Sequence, residues 1–199
     1  MHCIAGNCER QVAEGALDCG CGFENGSSCD LLSRGWYSYL SSECDPDTIT
    51  WLADQPELGV FMQGKRRYAV VHGGATAINR FIWPDSQSEV FLEEITALEG
   101  HLGKSDGIVA GHCGIAFHRK IEEYQWINAG AIGLPAHDGR PETRYAVLTD
   151  GDVVIQRLSY DHEAARSAMV RVGLTQGYHD TLRSGLWPSE DVLPPSLRR

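Results

Sequence analysis

Gly107-Ile108-Val109-Ala110-Gly111-His112 is a short apolar run closed by a glycine and a histidine, and its form decides how the rest of the chain is read. Apolar runs of this length bounded by glycine read as strands buried on both faces. Two other stretches share the form, Tyr68-Ala69-Val70-Val71-His72-Gly73-Gly74 and Cys3-Ile4-Ala5-Gly6-Asn7. In each, a polar side chain able to bind a metal stands where strand gives way to loop, and in open α/β sheets that carboxyl edge is where ligands bind. Helical patterns lie between the runs. Asp45 is an N-cap with Pro46 at the first helical position, leading into residues 47–54, and the stretch 88–102 places Val90, Phe91, Ile95, Leu98 and Leu102 near one face. Strands alternating with helices predict a layered α/β fold.

Further out, residues 144–149 and 153–158 flank Asp150-Gly151, a dipeptide suited to the positive φ angles of a tight hairpin turn. Asp161 caps a closing helix that runs to Val172. The end, 187–199, carries Pro188, Pro194 and Pro195 and reads as a surface tail, which leaves 1–186 as a single domain. Met1 stands two residues before the first apolar run, so the chain opens in the middle of an α/β alternation.

The totals narrow the function. A net charge of −10 with only 17 Lys and Arg lacks the positive field that duplex nucleic-acid binding needs. No apolar stretch is long enough to cross a bilayer, so no membrane partner is expected. An anionic phosphate would be repelled unless a bound metal reversed the field locally. The odd count of 7 cysteines and the lack of a leader pattern fit a reduced, cytoplasmic setting. Homo-oligomerisation is left open by the sequence.

A histidine at a strand end is, taken singly, more often a hydrogen-bonded structural residue than a ligand. Asn7 in Gly-Asn-Cys-Glu, His72 in His-Gly-Gly and His112 in Gly-His-Cys-Gly recur together in chain order, each among small neighbours that let a metal and a phosphate approach the backbone. Here the sequence resembles the calcineurin-like metallophosphoesterase superfamily, in particular its small prokaryotic phosphodiesterase branch. That family's ordered signature is Asp-x-His, Gly-Asp, Gly-Asn-His-Asp/Glu, a lone His after a strand, and Gly-His-x-His. Gly6-Asn7-Cys8-Glu9 looks like the third motif, Val71-His72-Gly73 the fourth and Gly111-His112-Cys113-Gly114 the fifth. The segment 128–135, Asn-Ala-Gly-Ala-Ile-Gly-Leu-Pro, is similar to the branch's Asn-Pro-Gly-Ser, and the likeness continues through residues 138–148.

The resemblance implies a four-layer α/β/β/α sandwich that lacks its first βαβ portion. It also implies two divalent cations (Mn, Fe, Mg or Zn) and hydrolysis of phosphate esters, above all diesters, by a metal-activated water, with a small phosphate ester or nucleotide as substrate. Asn7, His72 and His112 match ligands of the second metal. Cys8 stands where the family has a histidine that protonates the leaving group, a role in which it would act with His112. Gly73, Asn128 and His137 are the implied substrate contacts. The departures concern the first metal: both N-terminal aspartate motifs are absent, and Gly114 replaces the second His of Gly-His-x-His. Three neutral ligands without a carboxylate predict weak metal binding by this chain alone. Truncation of an active hydrolase is favoured over a genuine inactive short form.

Cys19-Gly20-Cys21 and Cys29 lie in a Gly-rich stretch, 15–30. Cys-x-Cys with a lone third cysteine is a weak zinc or iron-sulfur pattern, and the favoured expectation is a loop at the mouth of the site whose Asp18, Phe23 and Glu24 meet substrate. His2-Cys3 with Arg10 misses the Cys-x5-Arg spacing of cysteine-dependent phosphatases by one residue, since Glu9 occupies the arginine position; that mechanism is rejected. His101, His118, His162 and His179 are expected to face solvent, as are the acidic pairs Glu93-Glu94 and Glu122-Glu123. The rival function is a noncatalytic nucleotide- or partner-binding protein that keeps the fold.

Overall fold

In a computed structural model that describes residues 2–199, the helices are α1 (Asn7–Glu14), α2 (Ser28–Glu43), α3 (Pro46–Ala53), α4 (Ser88–Leu102), α5 (His162–Arg171) and α6 (Tyr178–Ser184). The strands are β1 (Leu58–Gln63), β2 (Arg66–Val71), β3 (Gly107–Ala110), β4 (Phe117–Ile121), β5 (Tyr124–Asn128), β6 (Thr143–Thr149) and β7 (Asp152–Leu158). Five strands form one sheet in the order β1-β2-β3-β5-β4, and β6 and β7 pair as a separate hairpin. No helix among the described residues is long and apolar enough to cross a membrane.

Two of the three expected buried strands, β2 and β3, stand at the centre of the sheet beside β5. β2, β3 and β5 run parallel, with Ala69 opposite Ile108 and Ile108 opposite Trp126, while β1 and β4 close the edges in antiparallel fashion. Helix α4 crosses from β2 to β3 and lays Phe91, Ile95 and Leu98 on Ile108, Phe117 and Trp126. The Phe91 ring meets the Trp126 ring edge-on at 5.3 Å between centroids, the preferred quadrupolar arrangement. Local signals at the other elements also hold. The Asp45 carboxylate accepts from Thr48 N–H at 2.7 Å and Asp161 accepts from Ala164 N–H at 2.9 Å. Asp150 and Gly151 turn the β6–β7 hairpin at φ 50° and 91°.

Four expectations need correction. Cys3–Gly6 is not a sheet strand: β1 already occupies the edge beside β2, and the segment is extended, tied by Ala5 N–H to the Pro56 carbonyl at 2.8 Å before Asn7 opens α1. The Gly-rich stretch ends earlier than expected, because Ser27 caps α2 by accepting from Asp30 N–H. The stretch 187–199 is no solvated tail, since Leu193 is buried and the Trp187 indole N–H donates to the Pro135 carbonyl at 2.7 Å. Glu94 is wholly buried rather than solvated, for a reason given below.

Apart from the main core, a small cluster joins α1 to α2 and α3 through Val12, Cys19, Cys21 and Tyr37. Arg10 fastens the same region by donating to the Gln55 carbonyl at 2.7 Å and pairing with Glu57 at 3.0 Å. These contacts occupy its guanidinium, which forms no phosphate loop with Cys3.

Candidate metal centre

The ends of β2, β3 and β5 are knitted together beyond the strands proper. Gly111 N–H donates to the His72 carbonyl at 2.7 Å, and Ala129 N–H donates to the Ala110 carbonyl at 3.0 Å. Extending the ladder in this way fixes His72 and His112 side by side at the carboxyl edge. Asn7 arrives from a different direction, as the first residue of α1. The side chains converge: His72 Nε2 lies 2.9 Å from Asn7 Oδ1 and 3.1 Å from His112 Nδ1. Neighbouring donors around one cation with bonds of roughly 2.1 Å stand about 3 Å apart, the spacing of His72 Nε2 from each of its two neighbours.

Burial tunes these donors. His112 is pushed down from its ordinary 6.5 to about 4, first by desolvation and then by His72, with backbone groups of Asn79 and Cys21 opposing. His72 is lowered too, by desolvation, with Glu9 opposing. Both imidazoles are therefore neutral at neutral pH, the form that binds metals. The Phe81 ring, 4.3 Å from the His112 ring between centroids, supplies part of that dry surrounding.

Close packing leaves the site little play. A Cβ on Gly6 would stand 2.7 Å from His72 Cε1, so only glycine lets α1 start against that imidazole. A Cβ on Gly73 would meet the Ile78 carbonyl oxygen at 2.5 Å, and one on Gly74 would meet Glu94 Oε2 at 2.7 Å. Gly73 thus serves the fold of the loop after β2, where the sequence had implied a substrate contact. Glu94 is what holds this loop: it accepts from Thr76 N–H at 3.1 Å, from Ala75 N–H and the Thr76 hydroxyl, and from Arg80 at 2.6 Å. Buried carboxylates persist only when paired and hydrogen-bonded in this way. The sequence signal was available in Gly74, whose missing side chain makes room for the carboxylate.

Asn128 holds the other loop. It is buried, its Nδ2 donates to the Gly111 carbonyl at 2.6 Å, and its Oδ1 accepts from Gly130 N–H at 2.9 Å. It therefore shapes the turn in which His112 adopts φ 58° instead of meeting substrate. His137 is likewise consumed. Its Nε2 lies 2.7 Å from Glu190 Oε1 and its Nδ1 accepts from Trp187 N–H at 2.8 Å, a clasp that draws 187–190 over the site. Neither ring nitrogen is free for a leaving group. Trp187 in turn covers Gly114, where a Cβ would come within 3.3 Å of its ring.

Cys8 fits its implied acid role poorly. Burial, with Glu9 adding and an Asn7 hydrogen bond opposing, pushes the thiol up to about 12, far from the operating range of a proton donor at neutral pH. Asn7, Cys8, Cys21, Phe23, His72 and His112 all line one cavity of about 250 Å³ with apolar walls. Phe23 therefore meets the site as expected, whereas Asp18 faces a neighbouring cavity and Glu24 a third. Of the remaining histidines, His101 and His118 are exposed, His162 is half-buried and His179 is buried, which corrects the last of these.

The comparisons with solved structures decide what fold carries this arrangement. The hypothetical protein PH1004 of Pyrococcus horikoshii OT3 superposes with a TM-score of 0.72 at 14% identity, over 92% of this chain and 73% of that one. A metallophosphoesterase from Sphaerobacter thermophilus does so with a TM-score of 0.67 at 17% identity, over 92% and 76%. The chain has the fold of that metallophosphoesterase. The fold expected from the sequence is borne out, although no protein-family model and no curated protein matches the sequence. Within the metallophosphoesterase fold, Asn7, His72 and His112 sit at the sheet's carboxyl edge and on the helix that begins beside it.

Proposed function

We propose that this chain binds a divalent cation through Asn7, His72 and His112 and hydrolyses phosphate esters, with diesters the favoured class and manganese the first metal to try. The observation that carries the reading is the meeting of Asn7 Oδ1, His72 Nε2 and His112 Nδ1 at 2.9 and 3.1 Å. A cation held there supplies the Lewis-acid charge that polarises a phosphoryl group and acidifies water. No lysine or arginine lines the cavity among the described residues, so the chain offers phosphate no cationic side chain of its own and the ion must attract it. Phe23 and Phe81 flank the donors and exclude water from one side. The backbone ladder at Gly111 and the Glu94 and Asn128 clamps keep the donors oriented before any ligand arrives.

Titration calorimetry with manganese, followed by hydrolysis of bis(nitrophenyl) phosphate, tests the reading. Uptake of one ion that is lost in both His72→Ala and His112→Ala, with turnover lost in parallel, is the expected result. Absence of any metal uptake by the unaltered protein defeats it. A second reading, noncatalytic binding of a nucleotide or partner, is favoured by the apolar cavity walls and by Trp187 packed on Gly114 where the family carries a further ligand. Metal uptake without turnover, together with tight binding of a nucleotide by the metal-free protein, would select it.

A further inference from the structure

Asn7 has two faces, and the donors described above use only one of them. Its amide nitrogen points the other way, 2.8 Å from the Cys19 carbonyl and 3.4 Å from the sulfurs of both Cys8 and Cys21. Cys8, Cys19 and Cys21 place their three sulfurs within 4.8 Å of one another, with Cys8 Sγ to Cys21 Sγ at 3.9 Å. Sulfurs that share a tetrahedral zinc-like ion with bonds of about 2.3 Å stand roughly 3.8 Å apart. In the structure Cys19 and Cys21 are joined as a disulfide and Cys8 is free.

We propose that reduced Cys8, Cys19 and Cys21 form a second site, distinct from the histidine site, that takes a soft divalent cation of the zinc type, and that the Cys19–Cys21 disulfide is its closed, metal-free state. Thiolates prefer such ions over manganese or magnesium, so the two sites would differ in metal as well as ligands. Three ligands leave one coordination position open. Cys8 lies in the first turn of α1, and the Asn7 amide N–H groups are aimed at the sulfurs of both Cys8 and Cys21, which holds the two side chains toward one point. Access exists from two sides, since Cys21 lines the cavity it shares with His112 and also, with Cys19, a neighbouring one of about 300 Å³.

The chemistry balances with one external reactant. A dithiol transfers two electrons and two protons to the Cys19–Cys21 bond, which opens to two thiols while the dithiol leaves as its own disulfide. The cation then displaces the protons of Cys8, Cys19 and Cys21 as it binds. Oxidation by a disulfide reverses the first step and expels the ion. The occupancy of the site is thus set by the redox state of a pair two residues apart in sequence.

Cobalt is the probe. Full-length protein, reduced and kept anaerobic, is titrated with Co²⁺ and read for the sulfur-to-cobalt charge-transfer band in the near ultraviolet. The band is expected in the reduced protein, absent in the oxidised protein, lost in Cys8→Ser and in Cys21→Ser, and retained in His72→Ala. Its retention in His72→Ala separates this site from the proposed phosphoesterase site, which fails independently if that variant still binds manganese. A reduced protein with no band, or a band that survives both serine substitutions, overturns the proposal. Should the serine variants fold poorly by circular dichroism, alkylation of the unaltered protein decides instead. Zinc must then slow modification of Cys8, Cys19 and Cys21 and leave Cys3 and Cys44 unaffected; equal rates with and without zinc overturn the site.

Discussion

The loops that follow β2 and β3 and the cysteine-rich stretch that precedes α2 face each other across Asn7, and they are held by different means. The strand-end loops inherit their position from the sheet through Gly111 N–H on the His72 carbonyl, and each is clamped by a buried side chain, Glu94 or Asn128. The cysteine-rich stretch has no ladder. It is placed by hydrogen bonds such as Asn79 Nδ2 on the Gly20 carbonyl at 2.9 Å and Asn7 Nδ2 on the Cys19 carbonyl, and by packing of Cys19 and Cys21 against Val12 and Tyr37. Donors borne on a sheet edge are preorganised, whereas donors borne on a loop depend on the bonding state of the loop itself.

The sharpest way to break this contrast is at Glu94. Glu94→Ala removes a wholly buried carboxylate, leaves two backbone N–H groups unpaired and leaves Arg80 with Glu93 alone, so the loss of stability in urea unfolding should reach about 3–5 kcal/mol. Metal uptake at His72 should fall with it. Next comes Asn128→Ala, which leaves Gly130 N–H unpaired and the Gly111 carbonyl with Cys113 N–H alone, at a cost of about 1–3 kcal/mol. As a support of the loop that carries a ligand, it should also weaken manganese binding roughly 10–100-fold by calorimetry. An unchanged affinity would mean that the His112 turn does not need its clamp.

Gly6→Ala probes the junction of the two regions, because its methyl group must displace the His72 ring or the Glu9 carboxylate. Thermal unfolding should register about 1–3 kcal/mol for the overpacking, with manganese affinity reduced and the cobalt band of the cysteines little changed. The pH dependence of the metal-free protein is a gentler test. His112 has its folded value lowered to about 4 from 6.5, so the stability from its neutral form is complete above about pH 6.5 and is lost as pH falls toward 4. The unfolding midpoint should decline over that window, and His112→Gln should flatten the decline. The smallest effect belongs to Arg34→Ala on α2, whose pair with Asp30 is solvent-screened; a loss of stability there as large as that of Asn128→Ala would contradict the account of the cysteine-rich side.

Much of the fold was legible because its signals are local. The apolar runs at 68–71 and 107–110, the Asp45 and Asp161 caps, and the Asp150-Gly151 turn each act within a few residues, and each element formed where those residues stand. Asn7, His72 and His112 could be grouped because glycine marks the places where a backbone comes close to something else. The roles of Asn128, His137, Gly73 and Glu94 were not legible in the same way. Each is decided by a partner distant in sequence, such as the Glu190 that occupies His137 53 residues away.

The sequence by itself determined β2, β3, the β6–β7 hairpin, the helices α3, α4 and α5 and the order of the metal-competent residues, since periodicity, capping and turn chemistry are properties of neighbouring residues. Only the tertiary structure decided that Asn7 enters from a helix instead of a strand, that Trp187 closes over Gly114, and that Cys8 meets Cys21. These are outcomes of which surfaces the packed core brings together, and a linear pattern carries no record of the distance between groups that lie far apart along it.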